Sequence, residues 1–222
     1  MKFIELAGEN VHEHSYLNID DNIYYVEEYI SGDGYAGNGN NLIFNLKKGV
    51  ERKGTDEWKH KEKSIVNMAI LLAEEMNDVN VEKRKIYWVP IPPSKIRTDP
   101  LFDDRTYRIL TLATALSGST KHLVVDVLHQ NSNRESFSTS KDKRDIATLV
   151  SNYVMNDIPN YDPEKDIIVI FDDLLTTGCH FKAVEEVILN RYDNAEIMGV
   201  FVARRALKNK TVTQILDEDQ IN

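Results

Sequence analysis

The chain has one cysteine, Cys179, so an intrachain disulfide and a cysteine-based zinc cluster are both excluded. No run of apolar residues approaches the roughly 20 that a membrane helix requires, and no membrane partner is expected. The first residues, MKFIELAGEN, carry an acid early and lack the apolar stretch of a secretory signal, from which a cytoplasmic location is expected. Excess positive charge is missing too. A formal net charge of -9 argues against broad electrostatic binding of nucleic acid. No G-x-G-x-x-G follows an apolar strand, which weakens a dinucleotide-binding reading, and there is no internal repeat.

What remains is an ordinary globular composition, 41% hydrophobic and 28% charged. Between Lys47 and Lys63 seven lysines and arginines face four acids. Such a run reads as a solvated surface, or alternatively as a lip that attracts a polyphosphate.

Asn22 to Ile30 is rich in Tyr, Val and Ile and reads as a strand, followed by a Gly- and Asn-dense turn or loop, SGDGYAGNGNN. From Glu62 onward Ile65, Met68, Ala69, Leu72, Ala73 and Met76 recur at three- and four-residue steps, the apolar stripe of a helix. Ile86 to Ile91 reads as a strand ended by Pro92 and Pro93. Asp103 or Asp104 is placed to cap a helix over Arg105 to Leu116. His122 to Leu128 reads as one buried strand, and Gln130 to Lys143 as a long polar loop. Asp145 is placed to cap a further helix bearing Ile146, Leu149, Val150, Tyr153 and Val154. Ile167 to Phe171 has the continuous apolar character of a central strand; a helix from about His180 to Arg191 and a strand over Ile197 to Ala203 follow. Strands alternating with helices predict an α/β fold: an open, mainly parallel sheet flanked by helices. A small β-containing elaboration is expected over residues 1–45, packed on a main domain over 46–222.

The stretch IIVIFDDLLTTGCHFKAVEEVI, residues 167–188, carries the chemistry. A buried strand delivers Asp172 and Asp173, and Leu174 and Leu175 lead to Thr176, Thr177, Gly178 and Cys179 at the start of a helix. Ligands of open α/β sheets lie outside the carboxyl ends of the strands. A turn into a helix N-terminus aims N–H groups and partial positive charge at an anion. Threonine hydroxyls add donors, and Gly178 permits close backbone approach. The adjacent carboxylates suit a sugar diol or a hydrated magnesium ion. Paired acids also follow strands in response-regulator receivers, but near the start of the domain. Asp-Asp as a mere structural turn is the bland alternative.

This string resembles the ribose-phosphate signature of type I phosphoribosyltransferases: apolar strand, two acids, two apolar residues, Thr-Thr-Gly. The resemblance implies the fold of that superfamily, with phosphoribosyl pyrophosphate and Mg2+ as ligands. It implies that Asp172 and Asp173 hold the ribose hydroxyls and touch the metal mainly through ligand or water, and that Leu174 to Cys179 bind the 5-phosphate. YWVPIPPSK at 87–95 sits where these enzymes place a pyrophosphate loop, with Pro93, Ser94 and Lys95 at the ligand and Lys95 assisting catalysis beside the acids. Feature order is similar to the ComF competence-protein group, on NNLIFNLKKG, VPIP, Gln130 and Arg144. Two departures stand out. That group's zinc element cannot form with one cysteine, and DPLFDDRTYR replaces the Arg-Gly-Phe-Asn segment expected after the pyrophosphate loop. A transferase must exclude water from its substrate, so the loop Gln130 to Arg144 is a candidate lid with Arg134, Lys141, Lys143 and Arg144 able to meet phosphate, or else only a solvated loop; by the resemblance the acceptor, a nucleobase, sits near ARRALKN at 203–209. There Arg204 and Arg205 either favour an anionic acceptor or form surface ion pairs. A homodimer is implied as well. Three functions stay open: a phosphoribosyltransferase; a module that binds phosphoribosyl pyrophosphate or a nucleotide without turnover, as a regulator or partner in DNA metabolism; or a scaffold on this fold with no ligand.

Overall fold

The computed structural model describes residues 3–78, 84–134 and 145–207. Its centre is a six-stranded sheet built of β1 (Ile4–Glu5), β2 (Ile23–Ile30), β3 (Ile86–Pro90), β4 (His122–Val124), β7 (Ile167–Leu175) and β8 (Glu196–Ala206). Their order across the sheet is β1-β2-β8-β7-β3-β4, and every pairing but β1 with β2 is parallel. The mainly parallel α/β architecture expected from the sequence is therefore present. Residues of the expected N-terminal elaboration build part of that sheet, since β2 runs parallel to β8 across seven paired positions.

Among the described residues five α-helices flank the strands: α1 (Asn38–Leu46), α2 (Asp56–Asp78), α3 (Arg105–Ser117), α4 (Ile146–Asn152) and α5 (Cys179–Leu189). The stripe from Ile65 to Met76 is buried as its spacing required. It packs with Ile109, Leu110, Val169 and Phe171, which places α2 and α3 on one sheet face. The opposite face carries α4, α5 and a short antiparallel ribbon of β5 (Leu128–Gln130) and β6 (Tyr153–Met155), packed around Ile168, Ile170 and Phe181. From Ile167 to Phe171 alternate residues of β7 therefore feed two separate cores, as the period-two pleat dictates. Among the described residues no helix is long and apolar enough to cross a membrane.

Local chemistry explains the punctuation. Asp145 accepts from the N–H groups of Ala147 and Thr148, as expected of an N-cap. Asp104 occupies the N-cap of α3 without a side-chain bond, while Asp103 turns inward. The strand expected over His122 to Leu128 is two: β4 pairs with β3 for three residues, and the chain then turns away so that β5 meets β6. The Gly- and Asn-dense loop ends early, because α1 starts at Asn38. Buried Asn40 accepts from the N–H of Ile30 and donates to the carbonyls of Ile30 and Gly34, replacing the ladder that β2 loses there.

Candidate functional site

The chain leaves β3 toward β4 on one side, and β7 later lines up on the other. Such a reversal of strand order opens a crevice at the carboxyl ends of the two strands, where open α/β sheets take ligands. A cleft of about 720 Å³ lies there. Its walls include Pro92, Pro93, Ser94 and Lys95 after β3, and Asp172 through His180 at the end of β7 and the start of α5. The two motifs, separated by about 80 residues in the sequence, thus share one cavity.

The turn after β7 leads directly into α5 and lines the cleft. Gly178 is the N-cap of α5 at φ 83, a left-handed conformation that glycine adopts without steric cost. Space also demands glycine: an added Cβ would lie 2.5 Å from Leu17 Cδ2. An N-terminal strap, a 3-10 turn at Gly8–Glu13 and the residues after it, lies against the back of this turn. The Tyr16 N–H donates to the Thr177 carbonyl at 3.0 Å, and His14 Nδ1 donates to the Thr176 carbonyl. In a trans peptide the carbonyl and the following N–H point in opposite directions. With both carbonyls held by the strap, the Thr177 and Gly178 amides are aimed away from it. Burial lowers the pKa of His14, with Arg204 adding repulsion, and among the described residues its Nε2 has no hydrogen-bond partner.

The acids are not equivalent. They belong to β7 itself, and successive strand residues face opposite sides. Asp173, only 2% exposed, turns toward α2 and α3. There Arg105 Nε and Nη2 meet one of its oxygens at 2.6 and 2.5 Å, and Lys47 Nζ meets the other at 3.3 Å. Burial would raise its pKa, but Arg105 and Lys47 outweigh that and hold it below the usual carboxylate range. Asp172 turns to the other side, is partly exposed and accepts from the Asp173 N–H at 2.7 Å. Burial, then the neighbouring Asp173 charge, push its pKa up. The expectation that both carboxylates face a sugar is corrected for Asp173: two cations occupy its oxygens.

Behind Asp173 runs a chain of charges. Arg105 also donates to Asp103 Oδ2 at 2.7 Å, and that oxygen takes a 2.6 Å bond from Lys61. Lys61 is fully buried and donates further to the carbonyls of Leu46 and Lys48. Reading the 47–63 run as solvated fails for this residue, and Lys47 lines the cleft. Asp103, Arg105 and His14 were not expected at the site, and Lys47 and Lys61 were covered only by the alternative reading of the 47–63 run as a lip that attracts a polyphosphate.

The turn after β3 is braced by the stem of the expected lid. Gln130 Nε2 donates to the Pro93 carbonyl, the Arg134 N–H to the Ser94 carbonyl at 2.8 Å, and the Ile96 N–H to Asn133 Oδ1 at 2.8 Å. The Arg134 guanidinium lines the cleft, 3.0 Å from His180 Nε2 and over the ring of Tyr153. Lys141, Lys143 and Arg144 lie outside the described residues, as do positions 208 and 209 of the expected acceptor segment. Arg204 is not at the cleft. It is buried beneath the strap, bonded to Glu13 at 2.8 Å and Glu28 at 2.5 Å and stacked on Tyr25. Its role as an acceptor ligand is withdrawn, because two carboxylates already consume its charge. Cys179 is buried in the core, consistent with a small packing residue.

No known family pattern matches the chain, and no curated protein is similar to it in sequence. Solved structures similar to it include a hypoxanthine phosphoribosyltransferase from Staphylococcus aureus in two crystal forms. The tetragonal form gives a TM-score of 0.40 at 12% identity, the orthorhombic form 0.35 at 14%, each covering 68% of this chain and 71% of that one. A Helicobacter pylori xanthine-guanine-hypoxanthine phosphoribosyltransferase gives 0.34 at 8% identity, covering 72% of this chain and 94% of that one. None of these three is a ComF protein.

Proposed function

We propose that the cleft binds a phosphorylated ribose and that the protein is a phosphoribosyltransferase acting from phosphoribosyl pyrophosphate onto a nucleobase-type acceptor. One observation carries this reading: the strapped turn at Thr176–Gly178, the Asp172 carboxylate and the Pro92–Lys95 turn converge on a single cavity at the switch point of the sheet. The 5-phosphate would sit on the Thr177 and Gly178 amides and the threonine hydroxyls, and the sugar beside Asp172. Ser94, Lys95 and Arg134 would meet the diphosphate.

In the reaction the bond between the anomeric carbon and the pyrophosphate oxygen breaks, and its electron pair leaves with pyrophosphate. A ring nitrogen of the acceptor bonds to that carbon and gives up its proton to solvent. Positive charge grows on the ribose ring and negative charge on the leaving group. Fixed cations and amides aimed at such charge stabilise it by several kcal/mol. Magnesium, when bound, neutralises the diphosphate. Among the described residues no cluster of three His, Cys, Asp or Glu is placed to hold a metal, and the Asp173 oxygens are engaged by cations. The ion would therefore arrive on the ligand, with Asp172 touching it through water.

Calorimetry with phosphoribosyl pyrophosphate and Mg2+ tests binding, and pyrophosphate release across a panel of bases tests transfer. Binding with release on one base is the expected result. Binding without release on any base would make the chain a non-catalytic module for the same ligand; no binding would remove the ribose-phosphate reading.

A further inference from the structure

The sequence presents Asp172 and Asp173 as a matched pair, but the strand separates them. Val169 and Phe171 face α2 and α3, and so does Asp173, which meets Arg105 from α3 and Lys47 from just beyond α1. Ile168 and Ile170 face α4 and α5, and the alternation of the strand sets Asp172 on that side. The phosphate turn opens α5 and so belongs to the Asp172 side. Resting on the ribose-phosphate reading, we infer that the acids serve opposite ends of the ligand: Asp172 alone accepts from the sugar, and Asp173 is a counterion that fixes Lys47 and Arg105 where they meet the diphosphate.

Three features support the division. Both Asp173 oxygens are taken by cations, one of them by two nitrogens of a single guanidinium, leaving no geometry in which a diol displaces them without stranding buried charge. Arg105 is further fixed by Asp103, which Lys61 anchors from a fully buried position, so the guanidinium plane cannot swing. Finally, Lys47 and Arg105 line the cleft from this face, backed by the buried Lys61, with Asp103 and Asp173 as their carboxylate partners. An anionic ligand is what such a wall recognises. Asp173 is a positioning residue on this account, and Lys47, 42% exposed at its side chain, is the more accessible of the two cations that hold it.

Titration calorimetry of the full chain with ribose 5-phosphate and, separately, inorganic pyrophosphate with Mg2+ decides the matter. Asp172→Asn is expected to weaken ribose 5-phosphate about tenfold, the loss of a charge-assisted hydrogen bond, and to leave pyrophosphate unchanged. Lys47→Gln is expected to do the reverse. Asp173→Asn alone strands two cations and threatens folding, so it is paired with Arg105→Gln, which restores charge balance. That double variant should keep ribose 5-phosphate affinity and lose pyrophosphate affinity about tenfold. The inference is overturned if the double variant loses ribose 5-phosphate as severely as Asp172→Asn does, or if neither it nor Lys47→Gln weakens pyrophosphate. A wild-type chain that ignores both ribose 5-phosphate and phosphoribosyl pyrophosphate overturns the underlying reading instead. In that case the pyrophosphate arm still judges the Lys47 and Arg105 wall, and a chain that binds no probe ends both.

Discussion

Replacing Gly178 by alanine puts a methyl group into the most constrained point of the turn after β7, the proposed phosphate site, and two costs follow. A left-handed backbone angle of 83° in an alanine costs about 1–2 kcal/mol. The new Cβ also lies 2.5 and 2.6 Å from two Leu17 side-chain atoms, and relieving that clash moves Leu17 or the turn at a further cost of about 1–3 kcal/mol. Even the lower sum, about 2 kcal/mol, lowers the melting temperature by roughly 4–8 °C in a chain of this size. The two costs separate in a cycle with Leu17→Ala. Removing the leucine abolishes the clash and leaves the backbone strain, so the double variant should be more stable than the two single effects predict, by about 1 kcal/mol. Thermal melts of the four proteins measure stability, and ribose 5-phosphate titrations of the same four measure the turn's competence. If the clash pushes the turn off its strap, affinity falls in Gly178→Ala and partly returns in the double variant. An unchanged melting temperature in Gly178→Ala, or strict additivity with Leu17→Ala, would refute the geometry of strap on turn.

Thr177→Val should weaken ribose 5-phosphate by about 1.5–3 kcal/mol, since a hydroxyl donor to an anion becomes a methyl; unchanged affinity by calorimetry removes Thr177 from the site. Lys61→Met should cost about 3–5 kcal/mol of stability in denaturant unfolding, because it leaves Asp103 short of a buried cation and two carbonyls short of a donor; a loss under 1 kcal/mol would mean Lys61 is dispensable. The pKa of His14 is lowered on folding, so the unfolded chain binds the extra proton first. The stability it contributes is fully present above its ordinary value near 6.5 and is lost as pH falls through its lowered folded value. Melts from pH 7.5 to 5 should show this loss, and His14→Gln should flatten it; an identical slope in the variant would exclude His14 as its source.

The parts of the fold that declare themselves locally were legible. Five apolar residues before two acids marked β7, and a six-residue stripe at helical spacing marked α2. The break inside His122–Leu128 was not legible, because the apolar character runs on while the pairing partner changes: β4 pairs with β3, and β5 with β6 some 25 residues later. The start of α1 was hidden by composition. Gly39 and Asn40 read as turn formers, yet the glycine is required by the close approach of Glu28, whose carbonyl oxygen would lie 2.0 Å from an added Cβ, and the asparagine is buried for its bonds to β2. The buried lysine did leave a trace. Lys61 precedes Ile65 by four residues and Met68 by seven, which sets it on the same helical stripe as the core. A charge on an apolar stripe signals a partner in the interior, and here the partner is Asp103.

That partnership explains why an apparently unmatched segment belongs to the site. DPLFDDRTYR carries Asp103 and Arg105 two residues apart at the mouth of α3, and each is meaningful only through residues far away in sequence. Asp103 needs Lys61 from α2, and Arg105 needs Asp173 from β7. Lose Lys61, and Asp103 no longer steadies the guanidinium; lose Arg105, and Asp173 keeps only the half-exposed Lys47 against its burial. The chain of charges from Lys61 to Asp173 thus couples the packing of two helices to the electrostatics of the cleft. Substitutions along it should act on one another non-additively, and Asp172, bonded to the Asp173 N–H and raised in pKa by the Asp173 charge, should couple to them as well, whereas Thr177 should combine with them additively. A double-mutant cycle between Lys61→Met and Asp103→Asn, read by unfolding, against one between Lys61→Met and Thr177→Val, read the same way, separates the two faces. Strong coupling in the first and none in the second is required if the pleat of β7 divides the site as described.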